Sequence, residues 1–154
     1  MEFEQFDPLV EPLRARATKF DEEEFRLIEA RTASSDEVAD AERALGATLP
    51  TQYKTFMARY GGGMFGFIDL LPVRAGRSRN DTDNIVSVSR AEFPVGSAVA
   101  LAPVGTGDFW GFPVENGQCR GEVWFYYHDV GEPTRVAEDF LEFVARYGVR
   151  ADLT

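Results

Sequence analysis

The sequence predicts an α+β fold, a single domain with a central, largely antiparallel sheet of about five or six strands flanked by helices. Three observations predict it. Roughly the first sixty residues carry apolar side chains at helical spacing. The middle of the chain switches to short apolar runs separated by turn residues. The last segment returns to a helical period. The chain has 154 residues, 44% of them hydrophobic and 27% charged, which suits one buried core and not two. The expected organisation is one domain over 1–154, with a helical N-terminal extension over 1–34.

Taken in order, 8–30 places Leu9, Val10 and Leu13 before, and Phe25, Leu27 and Ile28 after, the acidic run Asp21-Glu22-Glu23-Glu24. Carboxylates suit a helix's first turn, where they face the positive end of its dipole. A short helix over 21–31 follows, with a weaker one before it. Ser34 with Glu37 fits a capping box, and Val38, Ala41, Ala44 and Leu45 then recur at helical spacing up to Gly46, a left-handed C-cap. Pro50 suits the first position of the next helix, because its missing N–H would be unpaired there anyway. Tyr53, Phe56, Met57 and Tyr60 form its buried stripe, and Gly61-Gly62-Gly63 ends it. The pair is an α–α hairpin.

Beyond Met64 the period changes. Residues 65–73 read as one strand ending near Leu71-Pro72. The polar stretch 74–95 holds Arg77, Arg79, Asp81 and Asp83, with Ile85-Val86-Ser87-Val88 as a short strand. Strands follow over 98–104, 109–115 and 122–128, joined by Gly105-Thr106-Gly107-Asp108 and Asn116-Gly117, residues that supply positive-φ turn positions. Such short connections make neighbouring strands antiparallel. A helix after Pro133 closes the chain, burying Val136, Ala137, Phe140, Leu141, Val144 and Tyr147.

Charge narrows the partners. Sixteen Lys and Arg against 26 Asp and Glu give a net charge of −10. Phosphate backbones and anionic membranes are bound through Lys and Arg, so neither nucleic acid nor a membrane surface is an expected partner, while a basic protein is. Negative charge also serves solubility alone. No apolar run approaches the roughly 20 residues of a membrane span. The acidic N-terminus is unlike a secretory signal, and the single cysteine, Cys119, cannot form an internal disulfide. A cytoplasmic monomer without cofactor is expected.

The candidate chemical motifs have structural explanations. Gly61-x-Gly63-x-x-Gly66 has the letters of a dinucleotide fingerprint, but it follows a helix and precedes a strand, the reverse of what a phosphate site requires. Gly105-x-Gly107 leads into a strand and reads as a hairpin turn. Asp81-x-Asp83 begins like a calcium loop and then lacks the next ligand and the turn glycine. His128 and Asp129, on a strand, would point to opposite faces, and Cys119 has no adjacent histidine, so no catalytic residue is assigned. Asn80-Asp81-Thr82 spells a sequon that matters only for a secreted chain. Aromatic residues make up 13% of the chain. Phe109, Trp110 and Phe112 on one strand and Trp124 to Tyr127 on the next exceed what one core-facing side holds. Trp110 and Phe112 share a face and Phe109 takes the other. Either helices cover both sides of the sheet, or some of these rings anchor a protein partner.

The run from Glu42 to Pro50 (Glu-Arg-Ala-Leu-Gly-Ala-Thr-Leu-Pro), followed by Tyr53, Phe56 and Gly61-Gly62, resembles the opening motif of the SUKH superfamily, the Smi/Knr-type domains. The resemblance continues through Leu71-Pro72, Gly107-Asp108, the aromatic strand ending in His128, and the closing stretch from Ala137 to Val144, covering about 35–147. It implies a non-catalytic α+β domain, in bacteria typically an immunity protein that neutralises a cognate toxin, often a nuclease. The expected mechanism is occlusion of a basic cleft, with Asp69, Asp81, Asp83, Asp108 and Glu115 supplying charge and Trp110 the anchor. A regulatory adaptor with no toxin partner is the alternative.

Overall fold

In the computed structural model, which describes residues 1–19, 27–74, 83–151 and 153, the chain opens with helix α1 (Phe3–Lys19). Its strength exceeds the weak helix expected there. Phe6, Val10 and Leu13 fall at i, i+4 and i+7 and are buried, which places α1 in the core. Pro8 and Pro12 lie inside it, where each removes an N–H that would bond four residues back. Both are exposed, so the missing bonds lie on the wet face, where solvent reaches the freed carbonyls.

The helix expected over 21–31 lies partly outside the described residues, and its described part is not helical. Residues 27–31 form no helix, with single bridges Ile28↔Phe65 and Arg31↔Gly62 on either side of Ala30, which sits at φ 55°. Leu27 and Ile28 are satisfied by a β-hairpin and not by a helical neighbour. Helix α2 (Ser35–Leu45) begins at the predicted capping box, with Ser34 Oγ accepting from Glu37 N–H at 3.2 Å and Glu37 Oε1 accepting from Ser34 N–H at 3.0 Å. It ends on Gly46 at φ 66°. Pro50 is the N-cap of α3 (Thr51–Arg59), one position earlier than expected. Tyr53, Phe56 and Met57 are fully buried, and Tyr60 almost so.

The single strand expected over 65–73 is a hairpin of β1 (Gly63–Phe65) and β2 (Ile68–Leu70), in register Phe65↔Ile68 about a turn with Gly66 at φ 63°. The expected strand at Ile85–Val88 is instead the start of helix α4 (Ile85–Glu92). Three β-branched residues in four suggest a strand, but Asn84 caps the helix. Its side chain accepts from Val86 and Ser87 N–H, and Ser87 Oγ accepts from Asn84 N–H. Buried Ile85 and Ser89 stand four apart, and Ser89 Oγ accepts from Ala100 N–H at 2.8 Å, tying α4 to the sheet.

That sheet is antiparallel: β3 (Ala98–Pro103), β4 (Phe109–Glu115), β6 (Val123–Tyr126) and β7 (Thr134–Ala137) in order, with β5 (Gln118–Cys119) also against β4. Asn116 and Gly117, at φ 53° and 73°, make the predicted tight turn between β4 and β5. The closing helix begins later than expected. Val136 and Ala137 belong to β7, and α5 (Phe140–Phe143) starts where Asp139 accepts from Glu142 N–H, then widens into a π-helical segment, Val144–Val149. Helices cover the sheet on both sides. Phe112 meets Tyr53 of α3 and Phe140 of α5, and Trp110 meets Phe143, on one face. On the other, α4 covers β3, and Phe93 just past α4 meets Phe109 and Tyr126.

Candidate functional site

The five described candidate residues fall in three places. Asp81 lies outside the described residues.

Asp69 and Asp83 come together with Glu29, which the sequence did not single out. Asp69 stands between buried Ile68 and Leu70 and faces outward on β2. It pairs across the hairpin with Met64, whose N–H donates to Glu29 Oε1 at 3.0 Å. Glu29 Oε2 lies 3.4 Å from Arg31 Nε. Gly63, at φ 85°, makes room for this arrangement, since a Cβ there would come within 2.8 Å of the Glu29 Cβ. Asp83 precedes the cap of α4. The Asp69 carboxyl is held above its ordinary value, first by loss of solvent and then by repulsion from Glu29 and Asp83, against the pull of Arg31. Among the described residues, like charges are therefore concentrated here and only partly balanced.

Asp108 and Trp110 lie at the start of β4, at the loop end of the sheet. Asp108 accepts the His128 backbone N–H at 2.9 Å, the Thr106 hydroxyl at 2.9 Å and a contact with His128 Nδ1 at 2.5 Å. Its carboxyl is held below its ordinary value, first by that backbone bond, and the same pairing raises His128. Gly107, at φ 93°, lies under the imidazole, where a Cβ would sit 3.2 Å from the ring. His128 does not point away from its partner carboxylate as a residue midway along a strand would; it lies past the end of β6 and uses Asp108, twenty residues back, and not Asp129. Trp110 is half-buried, 5.3 Å from both Phe143 and Tyr147, and 6.1 Å from Phe125. Phe125 meets Tyr127 at 4.8 Å, and Tyr127 is 42% exposed. The most exposed of these rings is thus Tyr127, with half-buried Trp110 behind it. The crowding of aromatic residues on β6 is the signal that pointed here.

Glu115, at the far end of β4, is about 20 Å from Phe109 by strand rise. Arg120 joins it at 3.3 Å and Glu122 at 2.9 Å, and Glu122 also accepts from Trp124 Nε1. Here one guanidinium bridges two carboxylates.

Cys119 is mostly covered, and burial pushes its thiol up to about 12, so it stays protonated. Among the described residues no group of three His, Cys, Asp or Glu side chains is arranged to hold a metal ion, and no helix is long and apolar enough to cross a membrane. Two open grooves, of about 430 Å³ beside Glu42, Arg43 and Lys54 and about 460 Å³ beside Gln5, Glu142 and Arg146, are not lined by His128.

The family model SUKH_6, described as SMI1-KNR4 cell-wall, matches residues 35–144. The match begins at α2 and takes in all seven strands and α5, leaving α1 outside. No curated protein matches the chain.

Proposed function

We propose, because the chain belongs to the SUKH superfamily of SMI1-KNR4 domains, that it is a non-enzymatic binding protein of the toxin-immunity type whose partner is a basic toxin domain. The observation that carries this reading is the group Glu29, Asp69 and Asp83. Gathering carboxylates with one arginine among them, as the described residues do here, costs the free protein stability, and a partner's cations recover that cost on binding. The surface is outward-facing, which suits occlusion of another molecule's cleft. His128 is half-exposed, and its contacts with Asp108 hold the loop that follows β6.

The test pairs the full chain with the C-terminal domain of a secreted toxin encoded beside it. The expected result is a one-to-one complex whose association slows at least about tenfold from about 50 to 500 mM salt, and which Asp69→Lys with Asp83→Lys abolishes. Association indifferent to salt and to both reversals overturns the reading and favours a regulatory adaptor.

A further inference from the structure

The sheet ends at β7, whose only strand partner among the described residues is β6. Its outer edge therefore presents backbone N–H and C=O groups without a strand beyond them, the template on which an extended segment adds. The approach is open. Every residue over 127–135 is exposed, Val130 completely so. Within 127–138 stand three exposed carboxylates, Asp129, Glu132 and Glu138, with a single arginine, Arg135. The loop leading to it is held at its start, because Asp108 takes the His128 backbone N–H and contacts its ring. Tyr127 beside it is backed by Phe125.

From this juxtaposition we propose that β7 and the 127–133 loop form a docking site for an extended, positively charged segment of a partner protein. The segment adds as a strand beyond β7. Its lysines or arginines lie against Asp129, Glu132 and Glu138, and an apolar side chain lies against Tyr127 and Val130. A second copy of this chain is the poorer occupant, since antiparallel self-pairing of 134–137 sets Glu132 of one copy alongside Glu138 and Asp139 of the other. Like charges facing across strands oppose pairing. The inference rests on the reading of the chain as a protein binder, though not on the Asp69 group.

The test titrates the ¹⁵N-labelled full chain with an acetylated, amidated peptide of alternating lysine and valine. Controls are the same peptide N-methylated throughout and a version with glutamate for lysine. The lysine peptide is expected to shift the amide signals of Thr134–Ala137 and of 127–132 and to slow hydrogen exchange along β7. The N-methylated peptide, lacking backbone donors, is expected to bind at least about tenfold more weakly, the glutamate peptide to leave the spectrum unchanged, and Glu132→Gln with Glu138→Gln to weaken the lysine peptide. Equal binding of the N-methylated peptide, shifts confined to the Asp69 group, no shift at about millimolar peptide, or broadening of β7 signals with protein concentration alone each overturn the proposal. Should the toxin complex fail while the peptide still adds at β7, the proposed function falls and this inference stands; the reverse result separates them the other way.

Discussion

Asp108 and Asp69 are both acids on short strands or their approaches, and their surroundings treat them oppositely. Asp108 receives a backbone N–H, an imidazole and a hydroxyl, and its carboxyl is held low. Asp69 has no hydrogen bond to its carboxylate among the described residues and is held high by desolvation, Glu29 and Asp83. Loss of solvent opposes the charge at both, but only Asp108 has donors that outweigh it, while at Asp69 repulsion from Glu29 and Asp83 adds to it. A carboxylate that already has its donors works within the fold, here by fastening the loop after β6 to the loop before β4. One held against like charges has something to gain from an outside cation.

The two regions also differ in what stands behind them, and the largest effect tests that. The loop end is backed by a file of rings from Phe143 through Trp110 and Phe125 to Tyr127. Trp110→Ala is expected to cost about 3 kcal/mol, the lower end for removing a core aromatic, by urea unfolding. At the Asp69 hairpin the exposed ring is Phe67, 45% accessible, with the Arg150 guanidinium 3.9 Å over it. Phe67→Ala is expected to cost less than about 1 kcal/mol. Equal costs would mean that the rings behind Tyr127 give the loop end no special support.

The next effect concerns the fastening itself. His128 is raised by Asp108, so its share of stabilisation is complete below the ordinary histidine value of 6.5 and is lost as pH rises through the raised folded value. Asp108 is lowered, so its share is present above its ordinary 3.8 and is lost as pH falls through the lower folded value. The two loops are thus held best between those limits. Asp108→Asn is expected to move the His128 titration, followed by its ring proton signals, down toward 6.5 and to speed exchange of the His128 amide. An unmoved titration would show that the ring does not meet Asp108 in solution.

How far these regions were legible in the sequence depends on the range of the interactions that make them. The start of α2 was readable because Ser34 and Glu37 satisfy each other three residues apart. The same grammar was present at Asn84 and Ser87, and the β-branched run behind it masked α4 as a strand. Val136 and Ala137 matched a helical stripe only because Phe140 and Leu141 continue it; Asp139, the actual cap, is the residue that divides β7 from α5. Alternation correctly put Trp110 and Phe112 on one face and Phe109 on the other, yet it carries no information on depth, so it could not tell that Tyr127 is more exposed than Trp110. The Asp108–His128 pair spans twenty residues and two turns, and Glu29 reaches Asp69 only through the β1–β2 register. Neither has a local spacing to read.

The smallest effect is the one that most directly distinguishes the two acids. With its carboxyl raised, Asp69 binds a proton more readily in the folded chain than in the unfolded one, so its contribution to stability is present below its ordinary 3.8 and is lost as pH rises through the raised folded value. At neutral pH the charged side chain is therefore a net burden. Asp69→Asn removes the repulsion from Glu29 and Asp83 while keeping the shape, and is expected to stabilise the chain by a few tenths of a kcal/mol, small because the site is open to screening solvent. The gain should shrink with added salt and disappear at pH about 3, where the native carboxyl is already protonated. Asp108→Asn, measured by the same urea unfolding at pH about 5.5, should move the midpoint the other way. If Asp69→Asn is instead destabilising at neutral pH, Asp69 is a structural acid of the same kind as Asp108, and the group it forms with Glu29 and Asp83 is held together by the fold's own contacts with nothing left over for a partner's cations.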